Sequence, residues 1–203
     1  DASASTDDSS VVLYKWDWEG DGIWDDSTAS PTISHTYPDD FTGTAILEVF
    51  DNEEQSSQAQ AQVTVANASP VADAGGPYTA VVTIPFTLSG SFTDQGTLDT
   101  HTFSWDLDND GTFETNGKDV DTTFSTFGTK TVRFRVIDDD GGQGIDTTTV
   151  EVTSGVPVWS TIPNQEVLEN DDFTPIALDQ HVTDPDNATN QLIWSITGAA
   201  NLN

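Results

Sequence analysis

The sequence predicts an all-β protein made of tandem antiparallel β-sandwiches. Short runs in which apolar and polar residues alternate recur along the chain, for example at residues 45–49 and 132–136, and turn-forming residues separate them. Alternation of this kind is typical of strands that bury one face. Almost no window has the apolar spacing of an amphipathic helix. Many short strands at regular spacing favour β-sandwiches.

The predicted strands belong to an internal repeat. Trp16 and Trp105 are 89 residues apart, and the residues around them match in pattern. Further along, residues 44–49 align with residues 131–136 at an offset of 87. One change of two residues in the connecting segment accounts for the difference between the offsets. The repeat therefore predicts two homologous sandwiches.

The repeat divides the chain into three predicted domains. Residues 67–75 open the second copy and have no counterpart in the first, so residues 1–66 are predicted to be a sandwich without its first strand. Residues 67–154 are predicted to be a complete sandwich. Residues 155–203 are predicted to be the N-terminal half of another one, with a strand at residues 192–196. Because the first and last units are incomplete, we expect the chain to be part of a longer protein.

The composition is strongly acidic, with 35 Asp and Glu against 5 Lys and Arg and a formal net charge of −30. This charge argues against nucleic acids and anionic membrane surfaces as partners, because the field of the protein repels phosphates. It favours bound cations, a high-salt habitat, or both. The absence of Cys excludes disulfides and thiolate metal sites. No apolar run is long enough to cross a bilayer, so direct membrane insertion is not expected.

Two acidic loops are the strongest candidates for chemistry. Each follows a Trp, has acids at positions 1, 3 and 5, Gly at position 6, and another acid at position 9. Ca²⁺ takes six to eight oxygen ligands at about 2.3–2.6 Å, and a tight loop supplies them from alternate side chains and from the carbonyl of position 7. The predicted ligands are Asp17, Glu19, Asp21, Ile23 and Asp25 in the first loop, and Asp106, Asp108, Asp110, Thr112 and Glu114 in the second.

The same acids have an alternative role that needs no metal. Asp side chains cap turns by accepting hydrogen bonds from backbone amides. Four acids within nine residues repel one another when they are unpaired, however, and the chain has few Lys or Arg residues to pair them. We therefore predict Ca²⁺ in at least one loop, with the second loop ahead of the first.

The six Trp residues suggest carbohydrate binding as an alternative function, since aromatic rings can stack on sugars. Trp16, Trp105 and Trp194 lie in alternating runs and are predicted to be core residues. Trp18 and Trp159 are the remaining candidates for exposed platforms. Catalysis is not expected, because the three His residues are scattered and the nucleophile-elbow, zinc-protease and P-loop patterns are missing from the sequence.

Several motifs surround the acidic loops. Tyr14-Lys15-Trp16-Asp17 and Phe103-Ser104-Trp105-Asp106 lead into them, His35-Thr36-Tyr37-Pro38 precedes a predicted strand, and Val-x-Asp turns lie at residues 49–51 and 136–138. Together these motifs resemble the PKD (polycystic kidney disease) domain, a seven-strand Ig-like sandwich found in tandem in surface and secreted proteins. The resemblance covers roughly residues 1–153. It implies an extracellular location, either secreted or on the cell surface.

Residues 155–203 look more like bacterial cadherin-like Ig modules, which stiffen their junctions with Ca²⁺. The resemblance implies further metal sites where domains join, with solvated turns as the alternative. These lower-ranked junction ligands are Asp94, Asp99, Asp138, Asp139, Asp140, Asp184, Asp186 and Asn187. Asn187 also begins an Asn-Ala-Thr pattern, which is an acceptor for glycosylation in a host that modifies such sites.

The resemblance implies a non-catalytic structural or adhesive segment of a large extracellular or cell-surface prokaryotic protein. In this hypothesis Ca²⁺ stiffens a rod of Ig-like domains, and the partners are neighbouring domains of the same chain and other surface proteins. Two alternatives stay open. One is a polysaccharide- or protein-binding appendage of a secreted hydrolase, and the other is a subunit of an extracellular filament or surface layer made of identical chains.

Overall fold

Strands make up nearly all the regular structure of the computed structural model, which describes residues 1–8, 10–172, 174–188 and 191–195. This confirms the all-β prediction. The strands are β1 (Val11–Asp17), β2 (Asp26–Thr28), β3 (Phe41–Asp51), β4 (Ser56–Val65), β5 (Val71–Asp73), β6 (Tyr78–Val81), β7 (Phe86–Ser89), β8 (Ser91–Thr93), β9 (His101–Asp106), β10 (Thr115–Asn116), β11 (Asp119–Thr122), β12 (Gly128–Asp138), β13 (Gln143–Thr153), β14 (Val158–Trp159) and β15 (Val182–Thr183), with one 3-10 turn, η1 (Leu178–Gln180). Within the described residues, no helix has the length and hydropathy needed to cross a membrane.

The chain divides into two compact units. The first contains residues 1–71, 92–102 and 136–144, and the second contains residues 72–91, 103–135 and 145–203. Each unit therefore combines segments that are distant in the sequence. The contacts within each unit are described separately below.

The first unit contains an antiparallel sheet in the order β2-β1-β3-β4. The β-branched and aromatic residues of β1 favour an extended backbone, and Trp16 in β1 pairs with Leu47 in β3. Tyr14 and Trp16 are buried together with Ala2 and form the core of this sheet. β1 ends directly at the first acidic loop, so the core fixes where the loop begins.

The second unit contains most of a sheet in the order β10-β9-β12-β13-β6. β6 runs parallel to β13, with Tyr78 opposite Val150. The core of the second unit contains three completely buried side chains, Leu88, Trp105 and Phe134. The rings of Trp105 and Phe134 lie 4.8 Å apart. β9 ends at the second acidic loop.

The two sheets confirm the repeat that the sequence predicts. The order β2-β1-β3-β4 is reproduced by β10-β9-β12-β13, strand for strand. Each acidic loop connects the equivalent pair of strands, β1 to β2 in the first copy and β9 to β10 in the second. The loops are thus the same structural element at two positions in the chain.

The C-terminal part of the second unit differs from the sequence-based expectation. β14 pairs with β15 in a two-stranded sheet, and residues 192–195 of the predicted strand are irregular, while Ile196 lies outside the described residues. Trp194, predicted to be in the core, is 41% exposed and packs edge-on against Trp159 at 5.4 Å. Because a two-stranded sheet offers little apolar surface, these rings bury each other only in part.

Candidate metal-binding loops and acidic clusters

The first acidic loop folds around the carboxylate of Asp17, which is 1% exposed. Its Oδ1 accepts the backbone N–H groups of Gly20 at 2.7 Å and Asp21 at 3.2 Å. Its Oδ2 accepts the N–H of Gly22 at 2.9 Å. Three charge-assisted hydrogen bonds thus hold the loop closed at position 1. This is the turn-capping role that Asp can fulfil without a metal.

The side chains at positions 1, 3 and 9 of the first loop come together. Asp17, Glu19 and Asp25 each place one carboxylate oxygen within 4.8 Å of the others. Position 5 has a different role, because the carboxylate of Asp21 accepts the N–H of Ile23 at 2.8 Å. The loop therefore gathers three of its four acids, and the predicted ligation by Asp21 and by the carbonyl of Ile23 stays a prediction.

The second loop repeats this arrangement. The oxygens of Asp106, Asp108 and Glu114 lie within 4.8 Å of one another. Asp106 is completely buried and accepts the N–H groups of Asp110 at 3.2 Å and Gly111 at 3.0 Å. At position 5, the N–H of Thr112 donates to Asp110 at 2.7 Å, and this hydrogen bond lowers the pKa of Asp110. The two loops therefore share both the gathered acids and the capped turn, and ligation by Asp110 and by the carbonyl of Thr112 stays a prediction.

Glycine at position 6 is required by the backbone of both loops. Gly22 has φ +89° and Gly111 has φ +94°, values that L side chains rarely adopt. A left-handed residue at this point turns the chain sharply and brings position 9 back toward position 1. The Gly in the repeated pattern is therefore part of the geometry that assembles the carboxylates.

The two loops differ in which basic side chain lies close to their carboxylates. Arg133, from β12, places its Nη1 3.7 Å from Oδ2 of Asp106. In the first loop the nearest basic group is His35, 3.9 Å from Glu19. Burial raises the pKa of Glu19, and repulsion by Asp25 raises it further. The first loop thus carries the less compensated negative charge.

Aromatic rings form a continuous series beside the first loop. Trp18 stacks on Trp16 at 4.9 Å and on His35 at 4.7 Å, His35 contacts Tyr37 at 4.6 Å, and Tyr37 stacks on Phe41 at 5.0 Å. Trp18 is partly buried in this series, which does not fit the exposed platform that the sequence suggested. Trp159 is 54% exposed, as expected for the other platform candidate.

Several of the acids predicted as junction ligands are engaged in hydrogen bonds. Asp138 accepts the N–H of Gly142 at 2.6 Å and an amide hydrogen from Asn67 at 2.9 Å. The N–H of Thr100 donates to Asp139 at 2.8 Å and lowers the pKa of Asp139. These carboxylates cap backbone turns, and their binding of a metal ion stays a prediction.

The turn at residues 184–187 is also held by its first acid. Asp184 accepts the N–H groups of Asp186 at 3.1 Å and Asn187 at 3.0 Å. The hydrogen bond between the Asp184 and Asp186 side chains lowers the pKa of Asp184 and raises that of Asp186. Of the glycosylation pattern at this turn, Thr189 lies outside the described residues.

Two groups of acids assemble around Asp99 in the first unit. Asp94, Asp99 and His101 form one group, and Asp39, Asp99 and Asp140 form the other, each with ligand atoms within 4.8 Å. His101 Nε2 and Asp94 Oδ2 lie 2.8 Å apart. The sequence reasoning missed Asp39, because it lies 60 residues before Asp99 and no local pattern connects them.

Comparison with known protein families agrees with the fold. The model of the PKD domain family matches residues 67–153. This match confirms the Ig-like, PKD-type fold that the motifs implied for the second copy. A comparison with curated proteins gave no match.

Solved structures that match this chain include tandem domains from several sources. The three N-terminal domains of the bacteriophage RB49 Highly Immunogenic Outer Capsid protein (Hoc) have 14% identity and TM-score 0.39, over 75% of this chain and 55% of that one. The Clostridium thermocellum CbhA fibronectin(III)-like modules have 13% identity and TM-score 0.37, over 73% and 81%. The N-terminal four Ig domains of Dscam1 have 13% identity and TM-score 0.33, over 70% and 38%. The chain thus spans about half the length of the Hoc structure.

Proposed function

We propose that this chain, whose residues 67–153 match the PKD domain, is a non-catalytic structural and adhesive segment of an extracellular or cell-surface protein. PKD and Ig-like domains are typically extracellular and commonly mediate contacts between proteins. In this proposal Ca²⁺ binds the acidic loops and stiffens a rod of Ig-like domains. Its partners are neighbouring domains of the same protein and other proteins on the cell surface.

The observation that carries the calcium proposal is the duplicated loop. At the same place in two sheets, three carboxylates meet within 4.8 Å at the end of a buried strand. Three carboxylate oxygens are hard ligands that suit Ca²⁺, which also tolerates the irregular geometry of a loop. The donor set has no thiolate and no imidazole, so it fits zinc poorly.

A bound ion would relieve charge repulsion most at the carboxylates of positions 3 and 9. The position-1 acid accepts two or three backbone amides, and the position-9 acids accept one each, Asp25 from Trp18 at 2.8 Å and Glu114 from Leu107 at 3.1 Å. All of these carboxylates keep lone pairs for a cation. Glu19 and Glu114 are exposed side chains, held close to two other acids. Binding of a divalent cation would remove this repulsion and fix the loop. In this proposal the first loop ranks ahead of the second, the reverse of the order taken from the sequence, because the second loop receives part of its counter-charge from Arg133.

The decisive experiment measures bound Ca²⁺ and thermal unfolding for the wild type and for the double variant Glu19→Gln, Glu114→Gln. At a hundredfold excess over Kd, one ion that binds only the folded state adds about 2.7 kcal/mol to stability. We expect the wild type to melt higher with Ca²⁺ than with chelator. We expect the double variant to bind fewer ions and to lose the larger part of this rise.

The matched control is Glu53→Gln, because Glu53 is an exposed acid in the turn between β3 and β4 and belongs to neither loop. It should respond to Ca²⁺ as the wild type does. Equal calcium stoichiometry and equal melting rise in the wild type and the double variant would contradict ligation by the loops.

A second candidate function is a polysaccharide-binding appendage, which one observation favours. Trp159 and Trp194 are 54% and 41% exposed and lie edge to face at 5.4 Å, and exposed aromatic rings can stack on sugar rings. Retention of the wild type on an insoluble polysaccharide, lost in Trp159→Ala, is the expected result for this candidate. Equal passage of both proteins through the column would count against it.

A further inference from the structure

Three carboxylates from three separate segments of the first compact unit meet at Asp99. Asp39 comes from the turn before β3, Asp99 from the loop between β8 and β9, and Asp140 from the turn between β12 and β13. One oxygen of each lies within 4.8 Å of the others. These residues belong to neither of the acidic loops, so this cluster is independent of the proposed loop sites.

The carboxylate of Asp99 is buried and has no hydrogen-bond donor. Less than 1 Å² of either oxygen reaches solvent, and no N–H or hydroxyl group of the described residues donates to either oxygen. The carboxylate of Asp39 lies within hydrogen-bonding reach, but a bond between the two acids needs a shared proton. The group packs so closely on Gly96 that a Cβ there would overlap both oxygens. Burial of a charged group without a partner is strongly unfavourable. Asp99 therefore needs either a proton shared with Asp39 or a cation from solvent to neutralise it.

Burial and neighbouring acids make the negative charge of Asp99 still less favourable. Burial raises the pKa of Asp99 to about 6, a hydrogen bond with Asp39 raises it further, and the negative charges of Asp39, Asp94 and Asp138 act in the same direction. Burial also raises the pKa of Asp140, with contributions from Asp40 and Asp139.

No positive side chain of the described residues neutralises the three acids. The ion pairs found there join His35 to Glu19, Arg133 to Asp106, and His101 to Asp94. His101 pairs with Asp94 at 2.8 Å, and its ring also lies within 4.8 Å of an Asp99 oxygen, so it offers at most part of one positive charge to Asp99. The three carboxylates face one another with an uncompensated charge.

The segments that carry these acids are held together by other groups. The N–H of Thr97 donates to the carbonyl of Pro38 at 2.9 Å, and the N–H of Thr100 donates to Asp139 at 2.8 Å. The carboxylates of Asp39 and Asp99 are thus brought together by backbone contacts and not by attraction to each other. A site built in this way is organised before any ligand binds.

An open cavity of about 270 Å³ adjoins the cluster. Asp39, Asp40, Asn67 and Asp99 are among its lining residues. It gives an ion a path from solvent and places further side-chain oxygens nearby. Water can complete the ligand sphere of a hard cation, which commonly keeps some of its hydration.

We propose that Asp39, Asp99 and Asp140 bind a hard divalent cation of the Ca²⁺ type, which joins three chain segments of the first unit. Three carboxylate oxygens supply the charge and about half of the six to eight oxygen ligands that Ca²⁺ takes. The two acidic loops each close on a single stretch of chain. This third site instead connects residues that are up to about a hundred positions apart, so ion binding stabilises tertiary structure there.

The test uses the full chain with the loop substitutions Glu19→Gln and Glu114→Gln already present. Equilibrium dialysis and calorimetry with Ca²⁺ alone then count the remaining sites. We expect one ion to remain bound, and we expect it to be lost when Asp99→Asn or Asp140→Asn is added. Asp140 is exposed, so its substitution leaves the fold intact.

The same variants have a second expected signature. In chelator, Asp99→Asn should melt higher than its parent, because it removes a repelling charge, whereas in Ca²⁺ it should no longer gain stability. Asp119→Asn, at an exposed acid of β11, is the matched control and should leave the ion bound.

Two results would overturn the proposal. One is a loop-substituted protein that binds no Ca²⁺, and the other is an ion count and affinity that Asp99→Asn and Asp140→Asn leave unchanged. Either would indicate that Asp99 and its neighbours share a proton instead of an ion. The loop proposal is judged separately, from the difference between the wild type and the loop-substituted protein.

Discussion

Asp17→Asn separates the capping role of the first acidic loop from ion binding. Asp17 is 1% exposed and accepts three backbone N–H groups at 2.7–3.2 Å. Asn keeps the shape and one acceptor oxygen, but its amide group turns a donor toward at least one of these N–H groups. We therefore expect the substitution to destabilise the loop even when chelator removes all Ca²⁺.

The size of the effect follows from the contacts. One buried N–H left without an acceptor costs about 1–3 kcal/mol, and the hydrogen bonds that remain change from charge-assisted to neutral, which roughly halves their strength. The sum is a loss of roughly 2–4 kcal/mol in the local free energy of opening. Asp21→Asn is the control in the same loop, since Asp21 is exposed and accepts only the N–H of Ile23. It should change stability by less than about 1 kcal/mol.

The assay is native-state hydrogen exchange in chelator, followed in peptides that cover β1 and β2. This measurement reports the opening of one segment and does not require the whole chain to unfold in a single step. If Asp17→Asn changed the opening free energy by less than about 0.5 kcal/mol, the size of an ordinary surface substitution, the capping argument would be refuted.

Three further predictions concern the loop backbone, the core and an acid–histidine pair. Gly22→Ala should cost about 1–2 kcal/mol from its left-handed backbone alone, because an added Cβ meets nothing within 4 Å. Gly20→Ala should cost more, since its Cβ would overlap a backbone carbonyl. Urea unfolding measures both losses of stability. Phe134→Ala, at a completely buried ring, should cost about 3–5 kcal/mol in the same assay. Burial would raise the pKa of Asp94, but its hydrogen bonds, above all the one to His101, lower the pKa below 3.8. In chelator, the stability difference between the wild type and Asp94→Asn should therefore be complete above pH 3.8 and disappear as the pH falls through the lowered pKa. A difference that persists at the lowest pH would contradict this assignment.

The strands and the loop interiors could be predicted from the sequence because they depend on neighbouring residues. Alternation at residues 45–49 and 132–136 predicts β3 and β12, since successive side chains of a strand point to opposite faces. In the loops, Gly at position 6 and acids at positions 1, 3 and 9 bring three carboxylates together in both copies. Position 5 was harder to predict, because Asp21 can serve either an ion or the N–H of Ile23, and spacing does not distinguish the two.

Other features of the site depend on strand pairing, which the local sequence does not specify. Trp18 stacks on Trp16 and His35, although the sequence suggested an exposed ring. Trp194 stays largely exposed, because its segment does not form the predicted strand. In each case burial is decided by what packs against the ring and not by the pattern around it.

The sequence alone determines that this protein is built from repeated β-sandwich units, each with an acidic turn at the end of a Trp-bearing strand. Period-two hydrophobicity, glycine at the turn and the alternate acids are local properties, and local sterics are enough to express them. Only the tertiary structure decides where negative charge is left uncompensated. Arg133 reaches Asp106 from another strand, whereas Asp99 meets Asp39 and Asp140 from distant segments. The physical reason is that charge interactions depend on distance in space, and the folding of the chain sets which side chains face each other.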